Sequence, residues 1–189
     1  SSDLSVPRLS FDAPGLDSLA LGTTAERTLA AETLIKSIKH LPSPERAQWV
    51  DRIAAACATR LPADLMMDEG EVRQLHHAGM EIGAHTHTHP ILSTLDEEGV
   101  RREIGASRAE LERITGHPVT AFAYPNGRPG EDYGERERDI VAGLGFQYAA
   151  ATRWGVSFAG TDVFQLPRFT PWDRQPSRWL ARLLLQFRN

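Results

Sequence analysis

An α/β fold with a mostly parallel sheet is predicted by three observations. Helical and strand-like segments alternate from residue 68 onward. The strand-like runs are short and apolar, and each gives way to polar or turn residues. Three histidines, His85, His87 and His89, sit just past one of these runs, where sites of parallel sheets lie. At 189 residues the chain is long enough for a sizeable core. It is read as one domain over 1–189. A composition of 41% hydrophobic and 24% charged residues is ordinary for a globular protein, and a net charge of −4 gives no overall basic footprint for nucleic acid. No apolar run is long enough to span a membrane. The single cysteine, Cys57, excludes an intrachain disulfide and reads as a small helix-core residue. Compartment and oligomeric state leave no mark on the sequence.

Residues 1–22 are rich in Ser, Asp, Pro and Gly and read as loop, with a short strand near Arg8 to Phe11. Thr23 and Glu26 form a capping box that opens a helix to Leu41, with Ala31, Leu34, Ile35, Ile38 and Leu41 as its stripe. Ser43-Pro44 opens a second helix. Val50, Ile53, Ala54 and Cys57 line its face and Leu61 closes it, so the two helices make a hairpin. Asp68, with Glu71 three residues on, starts a third helix ended by Gly79. His76 and His77, near its C-terminus, read as surface residues.

Met80 to Ala84 reads as a buried strand. The histidines that follow are stopped by Pro90. Their spacing puts imidazoles on one side of the chain, whether it stays extended or turns helical. Neutral imidazole is a good ligand for zinc and similar ions, although a catalytic site usually needs a third protein ligand. The plain alternative is a solvated loop. Thr94, with Glu97, is expected to cap a long helix through Thr115, with Val100, Ile104, Leu111 and Ile114 buried. Strands are expected over Val119 to Tyr124, Phe146 to Thr152 and Val163 to Thr170. A helix over Glu135 to Leu144 and a terminal helix over Pro176 to Phe187 complete the order.

The segments Ile82-Gly83-Ala84-His85-Thr86-His87-Thr88-His89-Pro90 and Phe122-Ala123-Tyr124-Pro125-Asn126-Gly127 resemble those of the polysaccharide deacetylase family (the NodB-homology domain). The likeness runs from about Met66 to Asp173. It implies a deformed (β/α) barrel, incomplete in this chain, with 66–189 as its core and the helical hairpin of 1–65 as an insertion. It also implies a divalent metal, usually zinc, and hydrolysis of N-acetyl groups on amino-sugar polymers. By position, His85 and His89 would be metal ligands, with Thr86 orienting their loop. The backbone N–H of Asn126 would donate to the oxyanion. Tyr124, Pro125, Gly127 and Arg168 would bind substrate.

Three features depart from the family pattern, one of them Ala123, which replaces the family's Arg before the groove Pro. The Asp-Asp motif of the first strand is not found; Ser10-Phe11-Asp12-Ala13-Pro14-Gly15 is only superficially close, and the catalytic strand is expected upstream of Ser1. The late Leu-x-His motif appears as Leu166-Pro167-Arg168, and a guanidinium cannot deliver a proton at neutral pH. The reading is a metal-dependent deacetylase. The alternative is a non-catalytic carbohydrate- or metal-binding domain on the same fold. Trp154, Trp172 and Tyr124 are candidates for stacking on sugar rings, or are ordinary core and rim aromatics.

Overall fold

The computed structural model describes residues 6–13, 16–58, 65–168 and 175–186. The chain forms two compact units, Ser1–Met66 and Met67–Asn189.

The first unit opens with β1 (Arg8–Leu9) and β2 (Leu19–Ala20), paired antiparallel. Two helices follow, α1 (Thr24–Ile38) and α2 (Ser43–Ala56). Thr23 caps α1 as its sequence predicts: its hydroxyl accepts from the Glu26 N–H, and the Glu26 carboxylate accepts from the Thr23 N–H at 2.8 Å. The expected stripe is turned. Ala30 and Leu34 face the core while Ala31 and Ile35 are exposed. The core gathers Leu9, Phe11, Leu16, Leu19 and Leu21 with those two residues, and Trp49 packs its ring edge against Phe11. Pro42, not Ser43, is the N-cap of α2. Leu61 lies outside the described residues.

The second unit begins with α3 (Glu69–His77), where Asp68 and Glu71 make the expected capping box. Only Ala84 of the Met80–Ala84 run pairs in a sheet, and Met80 is 59% exposed, so the run is not a buried strand. Helix α4 (Glu97–Thr115) is capped by Asp96 rather than Thr94. The Thr94 hydroxyl donates instead to the Ile91 carbonyl at 2.7 Å within a 3-10 turn over Leu92–Thr94, while the Asp96 carboxylate accepts from the Gly99 N–H. Gly116 ends the helix at φ 73°, a left-handed conformation that suits glycine.

Strand β3 (Ala121–Ala123) pairs in parallel with β4 (Tyr148–Ala150), and α5 (Glu135–Gly143) lies between them in sequence. Ala84 bridges to Phe122 on one side and Leu166 to Ala150 on the other, both in parallel. The expected strand over Val163 to Thr170 is therefore one bridge after a 3-10 turn at Val163–Gln165, and residues 169–170 lie outside the described set. Among the described residues the strands form an open array and do not close into a barrel. The core beneath them holds Leu92, Val100 and Ile104 from the α4 side, Phe122 and Tyr124 from β3, Ile140 and Val141 from α5, and Phe146 and Ala149. A last helix, α6, spans Pro176–Gln186, and Phe187 lies beyond the described residues. None of the described helices is long and apolar enough to cross a membrane.

Candidate active site

The site residues named from sequence cluster at the carboxyl ends of the parallel strands. His85 follows the Ala84 bridge, Asn126 follows β3, and Arg168 follows the Leu166 bridge. Main-chain bonds fix the first of these. The Ala84 N–H donates to the Ala121 carbonyl and the Ala123 N–H to the Ala84 carbonyl, both at 2.9 Å. That pairing brings His85 Nδ1 to 2.7 Å from the Ala123 carbonyl oxygen. A carbonyl only accepts, so Nδ1 carries the proton and the neutral ring keeps its lone pair on Nε2. This outer bond is the one that orients imidazoles in metal sites. Partial burial lowers the His85 pKa and outweighs the Ala123 bond, which acts the other way; the charges of His89 and Arg168 lower it further.

His89 lies beside it, ring centroids 4.8 Å apart and nearly perpendicular. The loop that brings the pair together is held from α4. Glu103 accepts from the His87 N–H at 2.9 Å, the Thr88 N–H at 2.8 Å and the Thr88 hydroxyl at 2.8 Å. Sequence reasoning passed over Glu103. Its signal was position: it lies three residues after Val100, beside the buried stripe, where a carboxylate needs partners. Thr86 (φ 62°) and His89 (φ 56°) are left-handed without being glycine, a costly state for β-branched Thr86. The Thr86 side chain is turned to its neighbour's backbone, donating to the His85 carbonyl at 2.6 Å.

The second loop turns through Asn126 (φ 55°) and Gly127 (φ 76°). No acceptor for the Asn126 N–H is found among the described residues. Gly127 is required: a Cβ there would stand 2.9 Å from the Tyr124 carbonyl and 3.0 Å from the Thr152 nitrogen. Gly127→Ala is expected to cost at least about 1–3 kcal/mol from strain alone. Urea denaturation checks it, and an unchanged midpoint would refute the packing argument.

Tyr124 and Pro125 are not on a groove wall. Both side chains are fully buried, and the Tyr124 hydroxyl donates to the Phe164 carbonyl at 2.9 Å. Its ring stacks on Tyr133 at 3.7 Å, so no face is left for a sugar. Gly127 is buried as well. Arg168 is exposed, and its Nε donates to the Ala151 carbonyl at 2.9 Å. Trp154 is 40% exposed and lines a cavity of about 310 Å³ with Arg153, Val156, Phe158, Thr161 and Pro167. Trp172 lies outside the described residues. Among the described residues, no three His, Cys, Asp or Glu side chains gather so as to hold a metal ion.

Residues 47–149 match the polysaccharide deacetylase family model, more than half of the chain, and the chain belongs to that family. Among solved structures it is similar to the deacetylase PplD of Streptococcus pyogenes, with 22% identity and a TM-score of 0.57, covering 67% of this chain and 53% of that one. A polysaccharide deacetylase of Bacillus cereus follows at 21% and 0.55, covering 65% of this chain and 38% of that one. The BpsB deacetylase domain of Bordetella bronchiseptica stands at 15% and 0.51, with 58% and 51% covered. At these identities the likeness is one of fold. The chain spans about half the length of PplD, and no curated protein sequence matches it.

Proposed function

We propose that this chain carries the histidine part of a metal-dependent site that removes N-acetyl groups from an amino-sugar polysaccharide. The observation that carries the reading is the bond from His85 Nδ1 to the Ala123 carbonyl, which leaves Nε2 ready to ligate beside His89. The donor set suits zinc, with His85 and His89 as its ligands from this chain. A bound divalent ion would supply Lewis-acid polarisation of the acetamide carbonyl and a more acidic water. The Asn126 N–H donates to the oxyanion that develops on that carbonyl. Arg168 hydrogen-bonds the sugar, and Trp154 offers it an apolar face. The deformed barrel belongs to this reading too, as the scaffold that brings a third ligand to the pair.

The test joins zinc affinity to acetate release from N-acetylated oligosaccharides, on the chain and on His85→Ala and His89→Ala. Each variant is expected to lose about tenfold or more in zinc affinity, and acetate release with it. Zinc affinity equal to that of the unsubstituted chain in both variants would sink the ligand assignment. Oligosaccharide binding without acetate release would assign the chain to the non-catalytic alternative.

A further inference from the structure

The seven histidines of this chain do not all gather at the carboxyl end. At the opposite end of the second unit, two helices finish side by side. His76 stands in the last turn of α3, and His117 follows the C-cap of α4. Forty-one residues apart in sequence, they bring His76 Nε2 to 3.0 Å from His117 Nδ1, with ring centroids 4.5 Å apart. The Thr115 carbonyl oxygen lies 2.9 Å from that same Nδ1. These atoms open on a cavity of about 210 Å³ that Glu81 also lines.

We propose that His76 and His117 form a second, independent site for a divalent transition-metal ion of the imidazole-seeking kind, Cu(II) above all. The Thr115 carbonyl only accepts, so His117 Nδ1 carries a proton that faces both this oxygen and His76 Nε2; a metal ion that displaces that proton uses the lone pairs of both nitrogens. Metal–imidazole bonds of about 2.0–2.1 Å at a right angle place neighbouring donors about 2.8–3.0 Å apart. Both the nitrogen–nitrogen and the nitrogen–carbonyl separations fall at that edge length. A right-angled edge suits tetragonal ions, and affinity for nitrogen donors peaks at copper in the divalent series. The field favours a cation as well. Two helix C-termini present their negative ends here, and Glu81, whose carboxylate accepts from the Tyr148 hydroxyl, lines the cavity. Solvent completes the coordination. On this account His76, which the sequence alone marks as a surface residue, is a ligand.

The proposal does not depend on the deacetylase reading, and its test keeps the two apart. Cu(II) alone is titrated into a His85→Ala/His89→Ala double variant, by calorimetry and by electron paramagnetic resonance. One Cu(II) with two equatorial nitrogens is expected. Adding His76→Ala or His117→Ala should weaken binding about tenfold or more, and His77→Ala by less than about twofold. Binding that is indifferent to both His76→Ala and His117→Ala overturns the proposal. A measurement that leaves the pair intact guards against misfolding: substoichiometric Cu(II) should broaden the ring resonances of His76 and His117 in the His85→Ala/His89→Ala chain. Sharp resonances for that pair would equally refute it.

Discussion

Tyr124→Ala is expected to destabilise the second unit by about 3–5 kcal/mol, the range for emptying a buried aromatic position. The ring has no exposed surface. It stacks on Tyr133 and meets Phe122 edge-on, centroids 5.2 Å apart. Its truncation removes the contact shared by the β3 end and the segment leading into α5. Tyr124→Phe keeps that packing and gives up only the bond to the Phe164 carbonyl, about 1 kcal/mol. Denaturation of both variants separates the terms. Because the hydroxyl is spent on Phe164, Tyr124→Phe should also bind oligosaccharide as well as the unsubstituted chain. Equal stability of the Ala variant, or a large loss of glycan binding in the Phe variant, would return Tyr124 to the substrate groove.

Glu103→Ala is expected to reduce zinc affinity about 10–100-fold while costing the fold only about 1–2 kcal/mol. One carboxylate holds two consecutive backbone N–H groups and the Thr88 hydroxyl. These bonds keep the turn in which His89 is left-handed, and so keep its ring beside that of His85. The residue is half-buried, so water replaces part of what is lost, and the stability change stays modest. Glu103→Gln should fall between, since its amide oxygen can accept from both N–H groups, as Oε2 does, while the charge is lost and an NH2 replaces the oxygen that accepts from the Thr88 hydroxyl. Zinc affinity unchanged in Glu103→Ala would show that the loop holds its shape without α4.

Features decided within a few residues were legible in the sequence. The boxes at Thr23 and Asp68 were read correctly because a cap and its partner lie three positions apart. The start of α4 was displaced because two acceptable caps compete two residues apart, and the 3-10 turn takes Thr94 out of the contest. Met80 was misplaced because an apolar run says nothing about whether a neighbouring strand exists to cover it. Tyr124 was half legible: strand alternation puts it on the face of Phe122, which is buried. The pairing of His85 with His89 was visible in their spacing. The carbonyl that orients His85, the carboxylate that holds the loop and the meeting of His76 with His117 were not, since each joins segments distant in sequence.

The bond between His85 and Ala123 has a bearing on how this site responds to mutation. Its acceptor is main chain, so every residue that could occupy position 123 supplies the same oxygen. The proton on Nδ1 is therefore assigned by strand register, and no substitution of an acceptor side chain can erase it. Glu103 is the opposite case, a function vested in one side chain and open to loss by a single codon change. Drift along this lineage should be tolerated at 123 among residues that keep the strand, and purged at 103 for as long as the histidine loop is in use.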